Sequence, residues 1–202
     1  MDEMEKFEQQ VPENEPVQTP VKPPLLKRFW KEWGDVVILL AAVFVVFKFI
    51  IQIAWVPTGS METTIPTKSL QLGWRLPYLM SDPLPERGDV ITFWSDECGE
   101  VLVKRVIGLP GETVTFSAGS VYIDGEKLDE DYLPVQGITM SDNSFTVPEG
   151  CIFFMGDNRT GSFDARYWIN PYIPAEKLQA RVFVTISVGK NHSWTGIRLI
   201  TK

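Results

Sequence analysis

Hydrophobic and polar residues divide the chain into three regions of different character. The first region, residues 1–24, holds five prolines and six acidic residues and few apolar ones. Such a composition does not bury enough apolar surface to fold. The second region is one long apolar run, and the third alternates short apolar segments with turn residues. We therefore predict a disordered tail, a membrane-spanning segment and a folded domain.

The apolar run extends from Val36 to Ile53 and contains 18 residues. A helix of about 17–25 apolar residues spans a bilayer. Basic residues mark the cytoplasmic flank of such a span, and tryptophans mark its interfaces. The basic residues here precede the run, with two tryptophans among them: Lys27, Arg28, Lys31, Trp30 and Trp33. We predict a cytoplasmic tail over 1–28, a transmembrane anchor with its flanks over 29–56, and a single-pass protein of the plasma membrane. The alternative is a buried helix of a soluble protein.

The remaining residues, 57–202, show the pattern of a mainly β domain outside the cytoplasm. Pro-Gly, Asp-Gly and Gly-Asp-Asn sequences separate short segments that are rich in β-branched and aromatic residues, as strands and turns require. The predicted strands are Asp89–Phe93, Val101–Ile107, Thr113–Phe116, Ser120–Ile123, Cys151–Phe154 and Val182–Val188.

Composition excludes several classes of function. The net charge of -7 argues against a nucleic-acid partner. One histidine, His192, and two cysteines, Cys98 and Cys151, are too few for a rich metal site. We expect no metal and no organic cofactor. The two cysteines either form one bridge on an oxidising side of the membrane or stay unpaired as small hydrophobic residues.

Ser60 follows Gly59 shortly after the apolar run and is a candidate nucleophile, although a Gly-Ser pair alone is a weak signal. A serine hydroxyl needs a base at neutral pH. His192 lies in a polar, turn-like string typical of a surface histidine. Lys104 shares a strand face with Leu102 and Val106, and apolar surroundings lower the pKa of a lysine. Lys104 is therefore the candidate base; the alternative is a lysine that protects a strand edge.

A third polar segment runs from Gly156 to Arg166. Its Gly-Asp-Asn start suits a tight turn. Asp164 and Arg166 can pair as a scaffold, and Ser162 can orient a nearby amine by a hydrogen bond. Without other motifs, the segment would be an ordinary polar loop.

Taken together, four motifs resemble type I signal peptidase, the membrane-bound Ser-Lys leader peptidase family of bacteria. The similarity covers roughly Trp55 to Val188. The motifs, in the family's order, are the serine box 57–61 (PTGSM), the segment 87–93 (RGDVITF), the lysine box 104–112 (KRVIGLPGE), and 156–159 (GDNR) followed by Ser162, Asp164 and Arg166. The resemblance implies a mainly β fold with a signal-peptidase-like catalytic sheet, a small β-rich insertion at about 112–150, and one N-terminal transmembrane helix.

The resemblance also implies an activity and its residues. Ser60 would be the nucleophile and Lys104 the general base, in a serine endopeptidase that cleaves signal peptides from exported preproteins. The Ser60 N–H and the Thr58 hydroxyl would form the oxyanion hole, and Ser162 would orient the Lys104 amine. Asp157, Asp164 and Arg166 would support the site. Substrates with small residues at the first and third positions before the cut would contact Val56, Met61, Ile65, Asp89, Thr92, Leu102 and Val103.

The chain departs from the family's usual pattern at a few positions. Thr63-Thr64-Ile65 stands where Pro-Thr-Leu is usual, Thr58 where serine or glycine is common, and Ala165 where many members have serine. Two other functions remain as alternatives. One is a self-cleaving Ser-Lys repressor-like protein. Such proteins are cytosolic and cut an Ala-Gly bond that lies before their own serine, whereas here the one Ala-Gly bond, Ala118-Gly119, follows Ser60 and a membrane span precedes Ser60. The other is a non-catalytic, membrane-tethered binding or assembly protein.

Overall fold

The structure, a computed structural model, describes residues 25–62, 64–80, 84–188 and 194–200. Helix α1 (Leu25–Val45) continues as a π-helical turn over Val46–Ile50. The stretch Leu26–Ile50 is 25 residues long and is apolar enough to cross a membrane. The predicted tail over residues 1–24 lies outside the described residues.

The helix ends three residues earlier than the apolar run predicts. Residues 51–53 belong to the first strand, β1 (Ile51–Val56), which pairs antiparallel with β2 (Ser69–Trp74). Hydropathy alone missed this boundary because an apolar strand directly follows an apolar helix, and periodicity does not separate the two over so short a run. The compact unit that carries the sheets accordingly begins before β1 and comprises residues 42–202.

Within this unit, a large antiparallel sheet forms the frame of the molecule. Its strands have the order β1-β2-β11-β3-β4-β9-β10, with β12 paired to β11. The further members are β3 (Val90–Ser95), β4 (Glu100–Gly108), β9 (Cys151–Met155), β10 (Tyr172–Pro174), β11 (Leu178–Val188) and β12 (Trp194–Leu199). Two short helices join the strands: α2 (Leu76–Met80) and a 3-10 turn at Ala175–Lys177.

The insertion forms a second, smaller sheet with the order β7-β6-β5-β8. Its strands are β5 (Thr113–Ser117), β6 (Ser120–Ile123), β7 (Glu126–Lys127) and β8 (Phe145–Thr146). Apolar residues of both sheets share one buried cluster, in which Val114 and Phe145 join Phe153 and Phe154 of β9. Gly108 permits this approach, because a Cβ there would lie 2.6 Å from a Val114 methyl group.

The predicted mainly β class is confirmed, and each of the six predicted strands overlaps an observed one. The sequence analysis predicted none of β1, β2 and β12, which have six residues each, and none of β7, β8 and β10, which have only two or three. Such short bridges carry no alternation of apolar and polar residues, so tertiary contacts alone define them.

Candidate active site

A cavity of about 420 Å³ opens on one side of the large sheet and contains both candidate catalytic residues. Ser60 comes from the loop after β1, and Lys104 comes from β4. The lining consists of residues 54–60, Gln71, Cys98, residues 100–104, Asn158, Gly161 and Phe163. Three segments that are distant in sequence, and that the motifs singled out separately, therefore meet at one site.

Hydrogen bonds from Asn158 fix the loop that carries Ser60. The Asn158 backbone N–H donates to the Ser60 carbonyl oxygen at 3.1 Å. Its side-chain Nδ2 donates to the Gly59 carbonyl oxygen at 2.9 Å. Sequence reasoning placed Asn158 in a turn and missed this role. Its position directly after Asp157 in the Gly-Asp-Asn motif was the available signal.

Gly156 allows the two polar loops to touch. A Cβ at position 156 would lie 2.4 Å from the Ser60 carbonyl oxygen and 2.2 Å from the Ser162 hydroxyl oxygen. Real Cβ atoms do not approach that closely, so only glycine fits without a shift. Gly156, directly after β9, thus lies between Ser162 and the loop that carries Ser60.

Lys104 is buried, with 3 % of its surface exposed, although it lies at the cavity. Burial lowers its pKa from 10.5 to about 8. The carboxylates of Asp164 and Asp157 and the nearby Cys98 oppose this effect, whereas the positive charge of Arg166 adds to it. At pH 7 about a tenth of such amines is neutral, compared with well under a thousandth for an ordinary lysine. This environment suits a base that works near neutral pH.

The Ser162 hydroxyl oxygen is buried and has no hydrogen-bond partner within the described part of the chain. Its residue is 6 % exposed and contacts the space beside Gly156. An unpaired buried hydroxyl costs free energy in the state that the structure shows. The expected bond from Ser162 to the Lys104 amine therefore stays a prediction.

Two buried ion pairs support the loop that follows β9. Asp157 accepts hydrogen bonds from Arg105 at 2.9 and 2.7 Å, and both side chains are fully buried. Asp157 also accepts from the Thr64 hydroxyl at 2.5 Å. Asp164 pairs with Arg166 at 2.8 Å and accepts from the Gly156 N–H at 2.9 Å. Of the three predicted support residues, Asp164 and Arg166 therefore pair with each other within this loop, and Asp157 joins the loop to β4 and to Thr64.

A further buried network links this loop to the irregular part of the insertion, and no sequence motif indicated it. Arg159 donates to Glu130 at 2.6 and 3.1 Å and to the Thr139 hydroxyl at 2.8 Å. The Tyr132 hydroxyl donates to Glu130 at 2.8 Å, and the Arg105 guanidinium lies 3.8 Å from the centre of the Tyr132 ring. Glu130 and Tyr132 belong to the irregular part of the insertion, which has no strand pattern to place them.

The predicted substrate-contacting residues divide into two groups. Val56, Leu102 and Val103 line the cavity, and Thr58 is exposed within its lining. The other four lie outside the lining. Met61 and Ile65 are fully buried in a small cluster with Val56.

The two remaining residues have other surroundings. Thr92 is fully buried, and its hydroxyl donates to Gln52 at 2.5 Å. Asp89 lines a separate cavity of about 600 Å³ beside Arg181 and Tyr78. Burial, followed by the negative charge of Asp89, raises the pKa of Tyr78 to about 12.

Cys98 and Cys151 are free thiols, so the unpaired alternative holds. His192 and Thr63 lie outside the described residues. Across residues 25–62, 64–80, 84–188 and 194–200, no group of three His, Cys, Asp or Glu side chains could hold a metal ion.

Comparisons with known proteins agree with the motifs. The model of the signal peptidase family, peptidase S26, matches residues 30–187. The probable signal peptidase I-2 of Synechocystis sp. is 31% identical over 162 residues, which cover 77% of this chain and 72% of that protein. Signal peptidase I of Pseudomonas aeruginosa is 31% identical over 196 residues, covering 78% of this chain and 68% of the relative.

A crystal structure of a signal peptidase I from Enterococcus faecalis is 36% identical and superposes with a TM-score of 0.43, over 50% of this chain and 98% of that one.

The matched family and relatives show that this protein is a serine endopeptidase. The chain belongs to the signal peptidase family, peptidase S26. The resemblance drawn from the four motifs is thereby confirmed, and the N-terminal apolar helix fits a membrane-anchored member of that family.

Proposed function

We propose that this protein is a membrane-anchored signal peptidase that removes N-terminal signal peptides from exported preproteins with a Ser60–Lys104 dyad. The observation that carries the proposal is the position of Lys104. It is a buried lysine with a lowered pKa that lines the same cavity as Ser60. Among the described residues that line the cavity there is no imidazole, and Lys104 supplies an amine that can serve as the base.

The free edges of two strands suggest how a peptide binds. Within the described residues, β1 pairs only with β2, and β4 pairs with β9 only from Arg105 onward. The segments 54–56 and 100–104 therefore present unpaired backbone edges to the cavity that they line. An extended peptide between them would gain strand pairing, as in β-strand addition. Val56 and Val103 would then contact small side chains at the first and third positions before the cut.

The chemical steps follow from the two groups. Neutral Lys104 accepts the Ser60 Oγ proton while Oγ attacks the carbonyl carbon of the substrate. The Ser60 N–H and the Thr58 hydroxyl stabilise the oxyanion. Protonated Lys104 then gives its proton to the leaving amine, and the peptide bond breaks to leave an acyl-enzyme. Lys104 next takes a proton from water as the water oxygen attacks the ester. The bond between the acyl carbon and Ser60 Oγ then breaks, and Lys104 returns the proton to Oγ, which regenerates both groups. Ser162 orients the amine, and no step needs a metal or cofactor.

The membrane arrangement is the second part of the proposal. Lys27, Arg28 and Lys31 precede the helix, so residues 1–28 would be cytoplasmic and the peptidase domain would lie outside the plasma membrane. Protease added to intact spheroplasts should digest the peptidase domain and spare the tail. Protection of the domain would contradict this orientation.

Cleavage of one preprotein in detergent micelles tests the activity. The wild type should release the signal peptide, and Ser60→Ala should reduce turnover to background. Ser120→Ala, a serine of the small sheet away from the cavity, is the matched control and should cleave at the wild-type rate. Cleavage by Ser60→Ala at the wild-type rate would refute the dyad.

A further inference from the structure

Gln71 is a buried polar residue in the wall of the peptidase cavity, and nothing in the proposed chemistry uses it. The residue is 4 % exposed and belongs to the cavity lining. Its side-chain Oε1 is buried without a hydrogen-bond partner among the described residues. An unpaired buried acceptor costs about 1–3 kcal/mol. A group that is kept at this cost in a substrate cavity points to a ligand that pairs with it.

The neighbouring hydroxyls do not supply the missing hydrogen bond, because their protons are engaged elsewhere. Ser69 donates to the Pro66 carbonyl oxygen at 2.6 Å. Thr185, which lies opposite Gln71 in the register of β11 and β2, directs its hydroxyl to Ser69 at 3.1 Å and to the Leu70 carbonyl oxygen at 3.3 Å. These two hydroxyls are therefore not available to Gln71, whereas the cavity that Gln71 lines can admit a ligand.

The strand register places Gln71 one step further from the nucleophile than Val56. Gln71 pairs with Ala54, and Ser69 pairs with Val56. Paired residues share a face of the sheet, and Ala54 and Val56 lie on the same face, about 6–7 Å apart. Val56 is the closer of the two to Ser60 along the chain. In an extended substrate, the first and third residues before the cut also share a face at that spacing, so the third residue lies beside Ala54 and Gln71.

We propose that Gln71 is a specificity residue that favours a hydroxyl side chain, serine or threonine, at the third position before the cut. A hydroxyl both donates and accepts, so it pairs with the glutamine amide in either orientation of that amide. An alanine or valine at the same position leaves Oε1 unpaired. The inference rests on the proposed function and adds to it a polar requirement within a subsite that is otherwise lined by Ala54, Val56 and Val103.

The test compares preprotein substrates that differ only at the third position before the cut, in the pairs serine against alanine and threonine against valine. The full chain in detergent micelles should show a higher kcat/KM for the hydroxyl member of each pair. Gln71→Met keeps the length of the side chain but removes the amide, so the hydroxyl-to-apolar ratio should fall by about 3- to 10-fold. Gln71→Leu provides a second apolar replacement.

Gln52→Leu is the matched control, because the Gln52 amide bonds to Thr92 and Gln179 and lies outside the cavity lining. It should leave the ratio at its wild-type value. Equal ratios for the wild type and Gln71→Met would overturn the inference, as would a change in preference at the first position instead of the third. The wild-type comparison of threonine with valine decides the question even if the variants do not fold. A wild type that cleaves none of the substrates would count against the proposed function itself.

Discussion

The side-chain amide of Asn158 donates to the carbonyl oxygen of Gly59 at 2.9 Å, next to the proposed nucleophile. The same side chain accepts from the Gly161 N–H through Oδ1 at 3.1 Å. One residue thus joins the loop after β9 to the loop after β1. Because Gly59 precedes Ser60 directly, this bond controls where the nucleophile lies in the cavity.

We expect Asn158→Asp to slow the chemical step. The carboxylate retains the bond from Gly161 but cannot donate to Gly59, and its charge repels that carbonyl oxygen. A displacement of about 1 Å at a reacting group can cost about 100-fold in rate, so kcat should fall by about 10-fold or more while KM changes little. Asn143→Asp, at an exposed position of the insertion, is the control and should behave as wild type. An unchanged kcat for Asn158→Asp would show that the Gly59 bond is dispensable.

Activity should rise with pH through the lowered pKa of Lys104. Only the neutral amine accepts the Ser60 proton, so kcat/KM should increase about tenfold per pH unit below pH 8 and level off above pH 8. Lys104→Arg should be inactive at every pH, because a guanidinium stays protonated. The measurement is the hydrolysis rate of a signal-peptide substrate from pH 6 to pH 10. Substantial turnover by Lys104→Arg would exclude Lys104 as the base.

The same buried amine should weaken the folded state near neutral pH. Lowering a pKa from 10.5 to about 8 corresponds to a cost of about 3 kcal/mol for the protonated form. Below pH 8 both the folded and the unfolded chain hold the proton, and the full cost applies. Between the two pKa values only the unfolded chain binds it, so stability rises with pH.

Lys104→Met should therefore unfold at a higher temperature than the wild type at pH 7, and the difference should shrink as the pH approaches 10.5. Thermal unfolding of both proteins across this range measures it. A methionine variant that is less stable than the wild type at pH 7 would contradict the burial cost.

Gly156→Ala should lower the peptidase activity. The added Cβ would lie 2.4 Å from the Ser60 carbonyl oxygen and 2.2 Å from the Ser162 hydroxyl, so the nucleophile loop must move. We expect a loss of about 100-fold in kcat/KM from this displacement. Gly196→Ala is the control, because a Cβ at position 196 meets no atom within 4 Å. Equal activity of the two variants would mean that the loop adapts without cost.

Glu130→Gln should destabilise the protein, although Glu130 lies outside the cavity lining. The substitution removes the carboxylate charge that pairs with the buried Arg159 guanidinium, and the loss of one member of a buried pair costs about 3–5 kcal/mol. Glu126→Gln, on an exposed strand of the same insertion, should change the unfolding temperature little. Chemical denaturation of the three proteins provides the comparison.

The sequence could identify candidate residues where a local pattern or a motif marks them. Lys104 lies in a strand of alternating residues, so the period of two placed it on one face with Leu102 and Val106, where burial was one of two alternatives. Ser60, Ser162, Asp164 and Arg166 belong to motifs with fixed spacing. The motifs thus include residues of the cavity and of the loop that follows β9.

The sequence was uninformative where long-range pairing decides the environment. Gln71 belongs to none of the predicted strands or motifs, and only the register of β1, β2 and β11 brings it to the cavity. Asp89 and Thr92 come from a recognised motif, yet Asp89 lines a second cavity and Thr92, on β3, makes a buried hydrogen bond. Local patterns do not encode which strands become neighbours.

The bonds of Arg159 to Glu130 and Thr139 have a consequence for motion. They connect the loop after β9 with the irregular part of the insertion, which has few strand bonds of its own. Opening of one should therefore release the other, and the amide hydrogens of both segments should exchange with solvent water at matching rates, as one cooperative unit. If the insertion opened, the loop after β9 would move and the bond from Asn158 to Gly59 would break. The lifetime of the closed insertion therefore sets an upper limit on how long Ser60 keeps its position in the cavity.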